Sequence, residues 1–241
     1  MGMFDDVEGI VKRQMVLFFV IDTSGSMEGT KIGAVNTAIR EVLPELKDAG
    51  GSDIDLKIAC LFFSNGCEWM YPSPVAAESF QWNLLEADGC TDLGAAFKEL
   101  SEKLSKNGFL KAPSGSVAPV IFLMSDGEPT DDFESGLNLL KQNSWFKYAI
   151  KVAVAIGDDA NKDVLAKFTG NSEAVISVHT PEALKKWIRK VSVTSSMVGS
   201  KSQPANDGRI KSKQDAMIDE IKDIQQSEPD LDSTSTSGDE W

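Results

Sequence analysis

Apolar residues in this chain gather in short runs, separated by stretches where they recur every three or four positions. The runs at 14–21, 55–63, 117–125, 148–156 and 174–178 have the length and density of buried strands. A further short strand is predicted at 67–71, because Ser64-Asn65-Gly66 before it is a hairpin signal that would make it an antiparallel edge. Helical spacing predicts helices over 30–47, 92–106, 131–143, 162–168 and 181–195. In the first, Ile32, Val35, Ile39, Val42, Leu43 and Leu46 share one face. The last opens on Thr180-Pro181-Glu182, a cap followed by a first-turn proline and an early acid. A Pro-rich link carrying Pro72 and Pro74 follows the edge strand.

Strands alternating with helices predict an α/β fold, a mostly parallel six-stranded sheet with one antiparallel edge strand and helices on both faces. In such open sheets ligands bind beyond the carboxyl ends of the strands, where the strand order reverses. Two acids stand at such ends: Asp22 closes the first run and Asp126 closes the run Val120-Ile121-Phe122-Leu123-Met124-Ser125.

The segment after the first run, Asp22-Thr23-Ser24-Gly25-Ser26, presents one acid and two hydroxyls at alternating positions. Small oxygen ligands of this kind suit a hard divalent cation that keeps part of its water. Taken alone, the segment reads equally as a turn capping the next helix. Thr91, in Asp88-Gly89-Cys90-Thr91-Asp92-Leu93-Gly94, and Asp126, followed by Gly127-Glu128-Pro129-Thr130, add a second and a third loop. In that order the three loops resemble the metal-ion-dependent adhesion site of von Willebrand factor A domains. The resemblance implies a doubly wound, Rossmann-like domain with Asp22, Ser24, Ser26, Thr91 and Asp126 as metal ligands. By that likeness Ser24 and Ser26 bind directly, Thr91 joins in at least one conformation, and the two acids act directly or through water. Mg²⁺ fits the implied geometry, with Mn²⁺ or Ca²⁺ as alternatives. Neutral hydroxyls leave the ion with excess positive charge, which a partner protein's Asp or Glu would complete.

Neighbouring residues have simpler readings. Glu128, Asp131 and Asp132 could be further ligands, but Thr130 resembles an N-cap and the acids complement a helix dipole. Cys90 is expected to be a partly buried, inert thiol. His179, the single histidine, has no adjacent nucleophile and suggests no catalytic triad. An enzyme remains the alternative, since phosphohydrolases of the haloacid-dehalogenase type also place an Asp after strand one. That chemistry wants a second Asp where this chain has Ser24, and a Lys on a later loop. A passive scaffold with a structural metal is the third reading.

The strings Ile21–Met27, Thr91–Ala96 and Ser125–Asp132 also resemble the bacterial TerY proteins of tellurium-resistance and related stress clusters. That likeness rests mainly on Asp-Gly-Glu-Pro-Thr-Asp-Asp and implies a non-enzymatic adaptor working with a protein kinase and a PP2C-type phosphatase. Composition adds exclusions. A formal net charge of −13 argues against nucleic acid as a partner. Three cysteines without a Cys-x-x-Cys pair support neither a disulfide framework nor a zinc site. The start lacks a signal peptide and no apolar stretch approaches the ~20 residues that span a bilayer, so a cytoplasmic protein without membrane contact is expected.

The expected division is an arm at 1–11, the domain at 12–198 and an acidic, largely disordered tail at 199–241. Within the tail, a weak apolar stripe over 212–226 reads equally as a partly formed helix without lasting contacts or as a partner-docking helix. The Ser and Thr residues at 233–237 are either simply solvated or acceptors for the associated kinase.

Overall fold

A computed structural model describes residues 12–49, 54–111, 115–200 and 212–228. The arm at 1–11, most of the tail expected to be disordered (201–211 and 229–241) and with it Ser233–Ser237 lie outside the described residues. The central strand is β1 (Arg13–Asp22), paired in parallel with β2 (Ile54–Ser64) on one side and β5 (Val120–Ser125) on the other. Beyond β5 follow β6 (Ile150–Ile156) and β7 (Val175–Val178), also parallel. On the other side, β3 (Gly66–Trp69) and β4 (Val75–Ala76) both run antiparallel to β2.

Among the described residues the sheet thus has seven strands in the order β3-β2-β1-β5-β6-β7, with β4 also beside β2. The six-stranded expectation falls short by β4, a two-residue pairing that leaves no periodic trace. The predicted link therefore continues the edge: Ala77 N donates to Leu56 O at 2.9 Å.

Alternation along β1 sends its side chains to two cores. Met15, Leu17, Phe19 and Ile21 face α1 (Thr30–Ala49) and α6 (Pro181–Ser200), whose Val35, Ile39, Leu184, Trp187 and Ile188 close over them. Val16, Phe18 and Val20 face the opposite layer of α2 (Leu93–Lys103), α3 (Phe133–Gln142), α4 (Ser144–Tyr148) and α5 (Lys162–Thr169). Burial on both faces explains why β1 reads as an uninterrupted apolar run.

Several boundaries move for local reasons. The strand predicted from 117 starts at Val120, because Pro119 has no N–H to donate and only a single bridge joins Gln14 to Ser116 before it. The helix predicted to 106 ends at Lys103, where Phe109 N turns back to Lys103 O at 2.8 Å. Asn143, the expected helix end, instead caps α4 by accepting from Trp145 N (2.8 Å) and Phe146 N (3.3 Å).

The stripe over 212–226 forms α7 (Lys213–Ser227), a complete helix and not the partly formed one without lasting contacts. The helix packs on its own domain, with Met217, Ile218 and Ile221 buried. Gln214 explains its placement. Its side chain accepts from Lys151 N (2.7 Å) and donates to Lys151 O (2.9 Å), satisfying the start of β6, which β7 is too short to reach. Among the described residues no helix is long and apolar enough to cross a membrane.

Candidate metal centre

From β1 the chain crosses through α1 to β2 on one side, and from β2 through α2 to β5 on the other. The loops after β1 and β5 therefore part, leaving a crevice at their carboxyl ends. Asp22 and Asp126 flank it.

Asp22 is fully buried. Its Oδ1 accepts from Ser24 N at 2.9 Å and its Oδ2 from Ser125 Oγ at 2.5 Å. Burial pushes its carboxyl above the ordinary value and Asp126 adds to this, against the opposing hydrogen bonds from Ser125 and Ser24. Ser24 Oγ and Ser26 Oγ lie 3.1 Å apart, and Ser26 Oγ donates to Asp126 Oδ1 at 2.7 Å. The first loop is held by its neighbours: Thr23 N donates to Phe63 O, Asp88 N to Thr23 O and Gly25 N to Gly89 O, at 2.8–3.0 Å.

Thr91, buried just before α2, is fixed by Thr130. Thr91 N donates to Thr130 Oγ1 and Thr130 N donates to Thr91 O, both at 2.9 Å. Gly127 marks where the loops meet. A Cβ there would stand 3.3 Å from Ser26 Oγ, 3.4 Å from Thr91 Oγ1 and 3.7 Å from Asp22 Oδ2. The structure thus brings Asp22, Ser24, Ser26, Thr91 and Asp126 together around one small oxygen-lined cradle. Three hydroxyls and two carboxylates form a donor set that fits a hard, partly hydrated divalent cation. Among the described residues no group of three or more acids, histidines or cysteines offers another metal site.

The remaining acids hold the scaffold. Asp131 accepts from Gly94 N and Ala95 N at 2.8 Å each, so it caps α2 from a different loop. Asp132, not Thr130, caps α3, accepting from Ser135 N at 3.1 Å. Diverting Asp131 in this way starts α3 at Phe133 rather than at the predicted 131. Glu128 accepts from Asn161 Nδ2 at 3.0 Å. Cys90 is exposed rather than partly buried. His179 Nδ1 lies 2.6 Å from Asp158 Oδ1.

Sequence reasoning missed Lys31. Its ammonium pairs with Asp126 Oδ2 and lies 3.2 Å from Asp159 Oδ1. Burial pulls this lysine down, but the Asp126 and Asp159 carboxylates outweigh it and hold the ammonium above its ordinary value. A signal was present: Lys31 sits in the first turn of α1, which has no acid, where the helix dipole disfavours a cation.

The von Willebrand factor type A domain profile matches residues 17–190. The chain is 32% identical over 132 residues to inter-alpha-trypsin inhibitor heavy chain H1 of Mesocricetus auratus, covering 52% of this chain but 14% of that protein. It therefore spans about one seventh of the length of the curated relatives it matches. Among solved structures, a von Willebrand factor type A protein from Catenulispora acidiphila superposes with a TM-score of 0.58 at 21% identity, covering 77% of this chain and 43% of that one. Proximal thread matrix protein 1 from the mussel byssus, solved with a zinc-occupied MIDAS motif, gives 0.56 at 16% identity over 78% of this chain and 47% of that one. These structural likenesses concern the fold. With the profile covering most of its length, the chain belongs to the von Willebrand factor type A domain family.

Proposed function

We propose that this domain is a protein-binding module whose contact depends on a divalent cation held by Ser24, Ser26 and Thr91, with Asp22 and Asp126 alongside. The observation that carries this reading is the cradle at Gly127, where Ser26 Oγ, Thr91 Oγ1 and Asp22 Oδ2 converge. The zinc-occupied MIDAS motif of the mussel protein supports a metal at the equivalent place. A bound Mg²⁺, or Mn²⁺ or Ca²⁺ in its stead, supplies an electrophilic point that a partner's Asp or Glu completes. This chain's residues orient it: Thr130 fixes Thr91, Ser125 fixes Asp22, and Asp131 secures α2 behind them.

A narrower role, a TerY-like adaptor in a bacterial stress or tellurium-resistance system beside a kinase and a PP2C-type phosphatase, rests on the Asp126–Asp132 string. In the fold Thr130, Asp131 and Asp132 each serve loop or helix ends, tasks that no particular partner requires. The phosphohydrolase alternative lacks its second acid, because position 24 is Ser.

Affinity capture from native lysate with wild type and Asp22→Ala, each in Mg²⁺ and in EDTA, tests the reading. Proteins retained only by wild type in Mg²⁺, with both chains folded by circular dichroism, are expected. A kinase or PP2C-type phosphatase among them would support the narrower role. Retention indifferent to both treatments would overturn the metal-dependent one.

A further inference from the structure

Asp126 divides its two oxygens: Oδ1 accepts from Ser26 Oγ, while Oδ2 pairs with the Lys31 ammonium. The Asp126 side chain is fully buried and that of Lys31 is 13% exposed, so water screens the pair poorly. The lysine is guided there. Asp159 Oδ1 holds the ammonium from the far side at 3.2 Å, and Gly157 (φ +87°) leaves it room: a Cβ at that position would stand 3.1 Å from Lys31 Cε and 3.2 Å from Nζ. Three segments, the start of α1, the end of β5 and the loop after β6, thus converge to place one cation on one candidate ligand.

We propose that Lys31 is a built-in counter-cation that weakens the site's hold on its divalent ion. The inference rests on the metal reading above. An entering cation must share Asp126 with a charge already paired to it, and then sits beside that charge in a partly dehydrated place where repulsion is strong. The ammonium also offsets one of the two carboxylates. The bound ion then keeps more of its charge for an incoming carboxylate, and metal without partner is held loosely.

Isothermal titration of the 241-residue chain with MgCl2 tests this, using wild type, Lys31→Met, Lys31→Arg and Asp22→Ala. Lys31→Met should bind on the order of tenfold more tightly than wild type. Lys31→Arg, which keeps the charge, should stay close to wild type, and Asp22→Ala should lose binding. Lys31→Gln serves as a second neutral variant should Lys31→Met fail to fold by circular dichroism. Wild type binding Mg²⁺ while the folded neutral variants bind equally or more weakly would overturn the role of Lys31 and leave the metal reading standing. Folded wild type and neutral variants that all take up no Mg²⁺ would overturn both.

Discussion

Lys151 enters β6 with its ammonium buried, donating to Ala149 O at 2.9 Å and Phe146 O at 3.2 Å and lying over the Phe146 ring. Burial pulls its pKa down to about 8. The unfolded chain keeps this proton up to the ordinary value of 10.5, whereas the folded chain releases it near 8. The group's contribution to stability therefore rises with pH through that window, by about 3 kcal/mol in total. Urea unfolding of wild type and Lys151→Met across the window should show the difference moving in wild type's favour; a flat difference would contradict the buried ammonium. At this scale the sequence was most informative about chemistry. Asp22, Ser24, Ser26, Thr91 and Asp126 were legible because each sits at a strand end or in a short loop whose order resembles a known site. The partners of Lys31 and the cap that Asp131 supplies were not, because each acts on an element far along the chain: Lys31, whose place in the first turn of α1 marked it only as unusual, reaches Asp126 and Asp159, and Asp131 caps α2. No local pattern encodes such a partner.

Among the elements, α7 is the one whose role the structure changes most. Ile221 and Met217 are fully buried against the core shared with α1 and α6, and Ser212 and Asp215 form a capping box at its start. Ile221→Ala should cost about 2–5 kcal/mol in urea unfolding, the range for an aliphatic side chain removed from a closed core. A loss within ~0.5 kcal/mol would mean that α7 packs on nothing lasting. The 3.6-residue period identified a helix here but could not say what its stripe faces. Long, strongly periodic elements such as β1, α1 and α6 were read correctly for a related reason, since each buries enough apolar surface to leave a pattern. β4, with two residues, and α4, with five, bury too little to do so. A closer packing constraint was equally invisible: a Cβ on Gly136 would meet Gly94 O at 2.3 Å, so α2 and α3 cross at a distance that two glycines permit.

For the whole molecule, the crevice between β1 and β5 concentrates the candidate chemistry, and the rest of the fold holds three loops to it. A chain of net charge −13 places only two carboxylates at that point, one of them neutralised by Lys31, and surrounds them with hydroxyls. On the reading proposed above, this economy of charge leaves a bound cation able to take a partner's carboxylate instead of being saturated by its own protein. The central claim is tested most directly by diffraction from crystals soaked in Mn²⁺, with anomalous data collected above the manganese edge. The account predicts a single strong peak bounded by Ser24 Oγ, Ser26 Oγ and Thr91 Oγ1. No peak there, or peaks confined to carboxylates elsewhere on the surface, would contradict it.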